Sequence, residues 1–173
     1  EATREIAAAA GRMRASSVGV LLAGVATLLN RLVDVNDITV GMPVARQALE
    51  DLGDLVGHCV QLLPIRLAVD DGMRFEDLVA QARSTLLDAS EHYDFTFGGL
   101  VRALGMSGDA SRVPLLPVIV NVDKPLTDMR LGDAVATVRT VPRTAEAFEV
   151  FLNVMPNAVS WVVEATFNSD LFN

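Results

Sequence analysis

The chain is nearly without cysteine and lysine and is poor in aromatic rings, and each shortage closes off a class of function. Cys59 is the single cysteine among 173 residues, so no disulfide can form within the chain and a cytoplasmic location is the expectation. His58 and Cys59 are adjacent, which in a strand sends them to opposite faces. With His92 they form no metal-ligand spacing, so no metal is expected. Lys124 is the single lysine, the arginines are scattered, and the net charge is −8. Phosphate backbones are bound by clustered cations that displace counterions, so neither nucleic acid nor an anionic membrane surface is an expected partner. The best apolar run, Val18 to Leu29, falls short of the ~20 residues needed to span a bilayer and reads as a buried helix. No G-x-x-x-x-G-K or G-x-G-x-x-G occurs, so no glycine-rich phosphate loop is present.

What the chain has in plenty is aliphatic side chain. Hydrophobic residues make up 51% of it, and the mean hydropathy is +0.36. Either a large core absorbs this surface, or one face is made to bury against a partner. The length suits one domain with a sizeable core.

Periodicity predicts helices over 3–14 and 17–33, the second apolar nearly all round and therefore central, with Ser16 and Ser17 supplying cap oxygens at the break. Alternation of Ile38, Val40, Met42 and Val44 predicts a strand that leaves its sheet, or sits at its edge, at Pro43. A longer strand over 58–67 ends in an Asp70-Asp71-Gly72 turn. Phe75, Leu78, Val79, Ala82, Leu86 and Ala89 then fall on one face of a helix over 75–91. A short helix over 97–104 is capped by Gly105. Strands are expected at 116–122, 134–141, 147–154 and 158–167, the last two forming a hairpin. This order predicts an α/β (α+β) fold, a mixed β-sheet with helices packed on it.

Three stretches carry chemistry. Val56-Gly57-His58-Cys59-Val60-Gln61-Leu62-Leu63-Pro64-Ile65-Arg66 resembles the motif [IV]-G-x-F-V-N-T-L-P-L-R of the condensation domains of nonribosomal peptide synthetases. Ser111-Arg112-Val113-Pro114-Leu115 resembles the end of that family's R-D-x-S-R-N-P-L. Between them, His92-Tyr93-Asp94-Phe95-Thr96-Phe97-Gly98 is similar to H-Q-D-Y-P-F-E. The flanks agree as well, from Leu21-Leu22-Ala23 and Val40-Gly41-Met42-Pro43 to the closing Phe167-Asn168-Ser169-Asp170-Leu171-Phe172. The family's H-H-x-x-x-D-G motif does not occur, so the resemblance points to residues 1–173 as the C-terminal subdomain, with the N-terminal catalytic-motif half as a partner.

The resemblance implies a chloramphenicol-acetyltransferase-like fold in which two halves meet around a tunnel. It also implies amide bond formation between an acyl or peptidyl thioester and an amino acid amine, each on a peptidyl carrier protein. No cofactor is expected to bind directly, since the substrates ride on the phosphopantetheine of the carriers. No catalytic residue is expected in this part. An ester-forming or free-standing relative, or a catalytically inactive docking module, fits the same motifs.

Gln61 stands where the family has a tunnel-facing Asn, and either reaches the tunnel or is a satisfied polar residue of a half-buried strand. His58 either lines the tunnel or faces solvent, and Asn121, at a strand end, either lines the tunnel or forms a turn. Cys59 lacks a neighbouring base and reads as a small buried apolar residue. Gly57, Arg66, His92, Asp94, Ser111, Arg112 and Pro114 are read as architectural motif residues. Arg112 in particular has donors enough to tie loop carbonyls and Asp109 together. The segments expected to cross to the other half lie around 45–55 and 125–145. Trp161 is assigned to the core.

Overall fold

The computed structural model describes residues 2–45, 55–106, 112–123, 129–137, 141, 143–156 and 160–172. Helix α1 (Ala2–Arg12) and helix α2 (Ser17–Val33) are separated by a turn of 106° in the chain. The break is built as its residues predict, with Ser16 Oγ accepting the Gly19 N–H at 3.1 Å. At the other end of α2, Asp34 takes a left-handed conformation (φ 53°) and its N–H closes on the Asn30 carbonyl at 2.8 Å.

Strands β1 (Asp37–Ala45) and β2 (Val60–Ala68) then form an antiparallel pair, followed by α3 (Phe75–Glu91) and α4 (Phe97–Ala103). Strands β3 (Val118–Val122), β6 (Val150–Pro156) and β7 (Trp161–Phe167) complete a five-stranded sheet in the order β2-β1-β3-β6-β7. The β1–β3 and β3–β6 pairs are parallel and the outer pairs antiparallel, so the sheet is mixed. A separate two-stranded sheet, β4 (Met129–Leu131) and β5 (Ala134–Ala136), turns at Gly132 (φ 65°). No single helix among the described residues is long and apolar enough to cross a membrane.

Because side chains alternate across a strand, the register divides the sheet into two faces. Val40, Leu63, Ile65, Leu67 and Val120 face α2 and α3, where Leu22, Ala23, Ala26, Val79 and Ala82 complete the main core. On the opposite face Leu116, Ile119 and Phe151 form a smaller cluster, joined by Leu62, Phe97 and Phe148. Gly41 sits in β1 beneath this cluster, and a Cβ there would lie 2.5 Å from Ile119 Cδ1.

Several expectations need correction. Helix α2 is central only in its first two-thirds, and Leu28 and Leu32 near its end are 52% and 70% exposed. Phe75 opens α3 and is 44% exposed, whereas Leu78, one turn on, is buried in the main core. The strand expected over 134–141 is present over Ala134–Ala136 as β5, paired with β4 across the Gly132-Asp133 turn with positive φ at its first position, and residues 138–140 lie outside the described residues. Pro43 stays in register opposite Leu62, although the parallel pairing of β1 with β3 is at Gly41. Pro43 and Pro64 fall in pairs of one class, Pro43 with Leu62 and Gly41 with Pro64. Trp161 is half-buried on the outermost strand rather than in the core, and its backbone N–H reaches Thr3 Oγ1 at 3.1 Å, tying α1 to β7.

Candidate functional site

The two candidate tunnel amides lie on opposite faces of the sheet. Gln61 belongs to the row of Leu63 and Ile65, on the helix side, and its side-chain amide donates to the Phe95 carbonyl. It therefore fastens the segment after α3 to the start of β2. Asn121 belongs to the row of Ile119, on the open side, and its Nδ2 donates to Asn153 Oδ1 at 2.8 Å. The two asparagines are paired directly across the parallel β3–β6 ladder. A cleft against one sheet face receives only one of the two candidates.

His58 and Gly57 are exposed and precede β2 rather than lying in it, so the opposite orientation expected of His58 and Cys59 in a strand does not apply. A Cβ on Gly57 would meet nothing closer than Cys59 Sγ at 3.9 Å, so packing alone does not require glycine there. Arg66 forms a two-pronged pair with Asp37 across β1 and β2, at 2.8 and 2.7 Å. The hydrogen bond from Arg66 is the main cause holding the Asp37 carboxyl below its usual range, and the same bond raises the guanidinium.

His92 follows the last turn of α3, with Nδ1 at 2.8 Å from the Asp88 carbonyl, where an imidazole N–H satisfies a helix-end acceptor. Asp94 is exposed in the turn that leads to α4. Arg112 donates to Glu149 Oε1 at 3.1 Å, linking the segment before β3 to the start of β6. Pro114 is half-buried, and its carbonyl accepts the Leu116 N–H at 2.8 Å. Ser111 and Asp109 lie outside the described residues, as do most of 45–55 and much of 125–145.

Among the described residues, a polar arrangement centred on Glu146 has no counterpart among the expected site residues. Glu146 has a side chain only 5% exposed. Its Oε2 accepts from Arg143 Nη1 at 3.2 Å and from Thr166 Oγ1 at 3.0 Å, while Oε1 accepts the N–H groups of Ala147 and Phe148. The Arg143 guanidinium also stacks over Phe151, 4.3 Å from the ring centre. Two cavities of about 490 and 470 Å³ flank these residues, sharing Arg143, Ala165 and Thr166, and Asn153 lines the second. The one available signal was Asn153, a polar residue in the middle of an apolar strand. Among the described residues no group of His, Cys, Asp and Glu is placed to hold a metal.

The condensation-domain family model matches residues 1–173. This chain belongs to the condensation-domain family. A plipastatin synthase protein of Bacillus subtilis is 36% identical over 64% of the chain, which spans only 4% of that relative's length. The solved condensation domain of the Monacolin K polyketide synthase MokA superposes with a TM-score of 0.82 at 18% identity, covering 99% of this chain and 40% of that one. The X-domain in complex with OxyB from teicoplanin biosynthesis gives a TM-score of 0.81 at 23% identity, covering 97% of this chain and 38% of that one. At such identities the structures establish the fold, which is the chloramphenicol-acetyltransferase-like mixed sheet. The condensation domain is thus one of the kind found in nonribosomal peptide synthetases.

Proposed function

We propose that this chain is the C-terminal half of a synthetase condensation domain that joins a carrier-bound acyl or peptidyl thioester to the amine of a carrier-bound amino acid. The family match along the whole chain carries the reading. In the reaction the amine nitrogen attacks the thioester carbonyl, a C–N bond forms as the C–S bond breaks, and the nitrogen's proton ends on the released thiol. Such a step needs orientation and charge stabilisation more than a protein nucleophile. Phosphopantetheine arms on donor and acceptor carriers hold the substrates, in the cytoplasm, and Asn121 on the open face is the tunnel residue best placed to meet them. Gln61 and His58 then belong to the support and entrance of that wall.

The β4–β5 hairpin supports a companion half. An isolated two-stranded sheet is marginal in water, yet Met129, Leu131 and Val135 on it are 49%, 66% and 60% exposed. Burial against an N-terminal half bearing H-H-x-x-x-D-G supplies what this hairpin lacks.

A second reading, a catalytically inactive docking module, is favoured by the likeness to an X-domain described in complex with OxyB. An assay with both carriers loaded decides between them, using this chain alone, the joined domain, and the joined domain with the second motif histidine changed to alanine. Amide formation by the joined domain only, lost in the histidine variant, is expected. No amide from the joined domain, with capture of a partner enzyme instead, supports docking.

A further inference from the structure

We propose that Arg143 and Asn153 form a subsite that hydrogen-bonds a secondary amide of a carrier-borne chain, with Glu146 as the residue that positions Arg143. The proposal rests on the condensation reading and adds the chemistry recognised on the open face.

The geometry starts with a saturated carboxylate. Glu146 receives four donors while almost fully enclosed, so it is a fixed point. Arg143 is held against it on one side and over the Phe151 ring on the other, yet its side chain is 54% exposed and lines both cavities. A guanidinium has five N–H groups, and one is committed to Glu146. Asn153 uses its oxygen to receive Asn121, which leaves its own N–H donors for the cavity it lines. Asp123 and Glu164 line the same cavity as acceptors.

This mixture selects among ligand classes. An anion would meet Asp123 and Glu164, while the charge of Arg143 is already matched by Glu146. A cation would satisfy Asp123 and Glu164 but, like an alkyl group, would leave the donors of Arg143 and Asn153 without partners. A neutral group with one N–H and one C=O uses both kinds of lining atom. That group is a secondary amide, present both in the pantetheine arm and in a peptidyl chain.

Calorimetric titration of the joined domain with three probes tests this: pantetheine, N-acetyl-dialanine methylamide and mercaptohexanol, which has no amide. Arg143→Met and Asn153→Leu are each expected to weaken one amide probe by up to about tenfold, the worth of one hydrogen bond, and to leave mercaptohexanol unchanged. The probe that loses affinity identifies the source, arm or peptide. Glu146→Gln keeps an acceptor but removes the charge, and is expected to lower the preference for that amide probe over mercaptohexanol, a ratio that a purely structural role would not move. Arg143→Lys replaces the Met variant if melting shows that it fails to fold. Equal losses on all three probes, unchanged amide binding in the variants, or no amide binding by the wild type would each overturn the subsite. Because binding is read without turnover, failure of amide formation with loaded carriers would instead count against the proposed reaction.

Discussion

Gly41 is where a single missing carbon decides the packing of a whole layer. Its absent Cβ makes room for Ile119, Leu116 and Leu62, whose terminal methyls would lie 2.5, 3.1 and 3.2 Å from it. The end of an isoleucine can swing aside, but Ile119 is 1% exposed and Leu116 is fully buried, so little space receives it. Gly41→Ala is expected to cost about 1–3 kcal/mol, the usual range for overpacking a core. Denaturant midpoints measure the loss, and adding Ile119→Val, which removes the clashing methyl, should recover part of it. Arg112 stands at the other extreme. Its bond to Glu149 joins a 54% exposed side chain to one 24% exposed, so solvent screens most of the pair's worth. Arg112→Ala should lower stability by no more than about 1 kcal/mol, and a much larger loss would reveal further partners for its guanidinium. The multidentate tie that its five donors invite is, among the described residues, this one contact to Glu149.

At the scale of elements, what could be read in advance followed the distance over which the signal acts. Helices α2 and α3 run as their apolar spacing predicts, because 3.6-residue periodicity is written within the segment itself. The capping Ser16 and the left-handed Gly105 (φ 65°) are equally local. Burial of Leu32 and Phe75 was not legible, since whether an apolar residue near a helix end is covered depends on how far the sheet reaches. The brace of Glu146 was not legible either. Arg143 is a local partner three residues away, but Thr166 reaches Glu146 only through the β6–β7 register, with Phe151 opposite Thr166. The β1–β2 pair yields a pH prediction. Asp37 is held below its usual pKa by Arg66, so the sign is that of a depressed carboxyl: its contribution is present above the unfolded value and lost as pH falls through the folded one. Both side chains are solvent-exposed, so the effect is small. The melting temperature of the wild type should exceed that of Asp37→Asn at neutral pH, and the gap should close as pH drops below about 3.9, the ordinary aspartate value. A gap that persists in acid would assign the effect to something other than this ion pair.

For the whole molecule, the exposed apolar side chains have a thermodynamic consequence. The main core is complete among α2, α3 and the sheet and is made of apolar residues, so this part is expected to fold cooperatively by itself. Leu131 and Val135 on the hairpin remain uncovered at 66% and 60%. If a companion half buries them, binding to the folded state alone must raise the apparent stability by mass action, by about 2.7 kcal/mol when the companion is at a hundred times its dissociation constant. Mixing the separately produced halves should therefore raise the melting temperature of this chain in proportion to the logarithm of companion concentration. Leu131→Lys is the decisive variant. It places a charge on an exposed strand position, so the chain alone should melt within about 0.5 kcal/mol of wild type, while the rise on adding the companion should shrink. An undiminished rise would move the interface off the hairpin, and the absence of any rise with the wild type would remove the companion half from the account of this chain's exposed apolar surface.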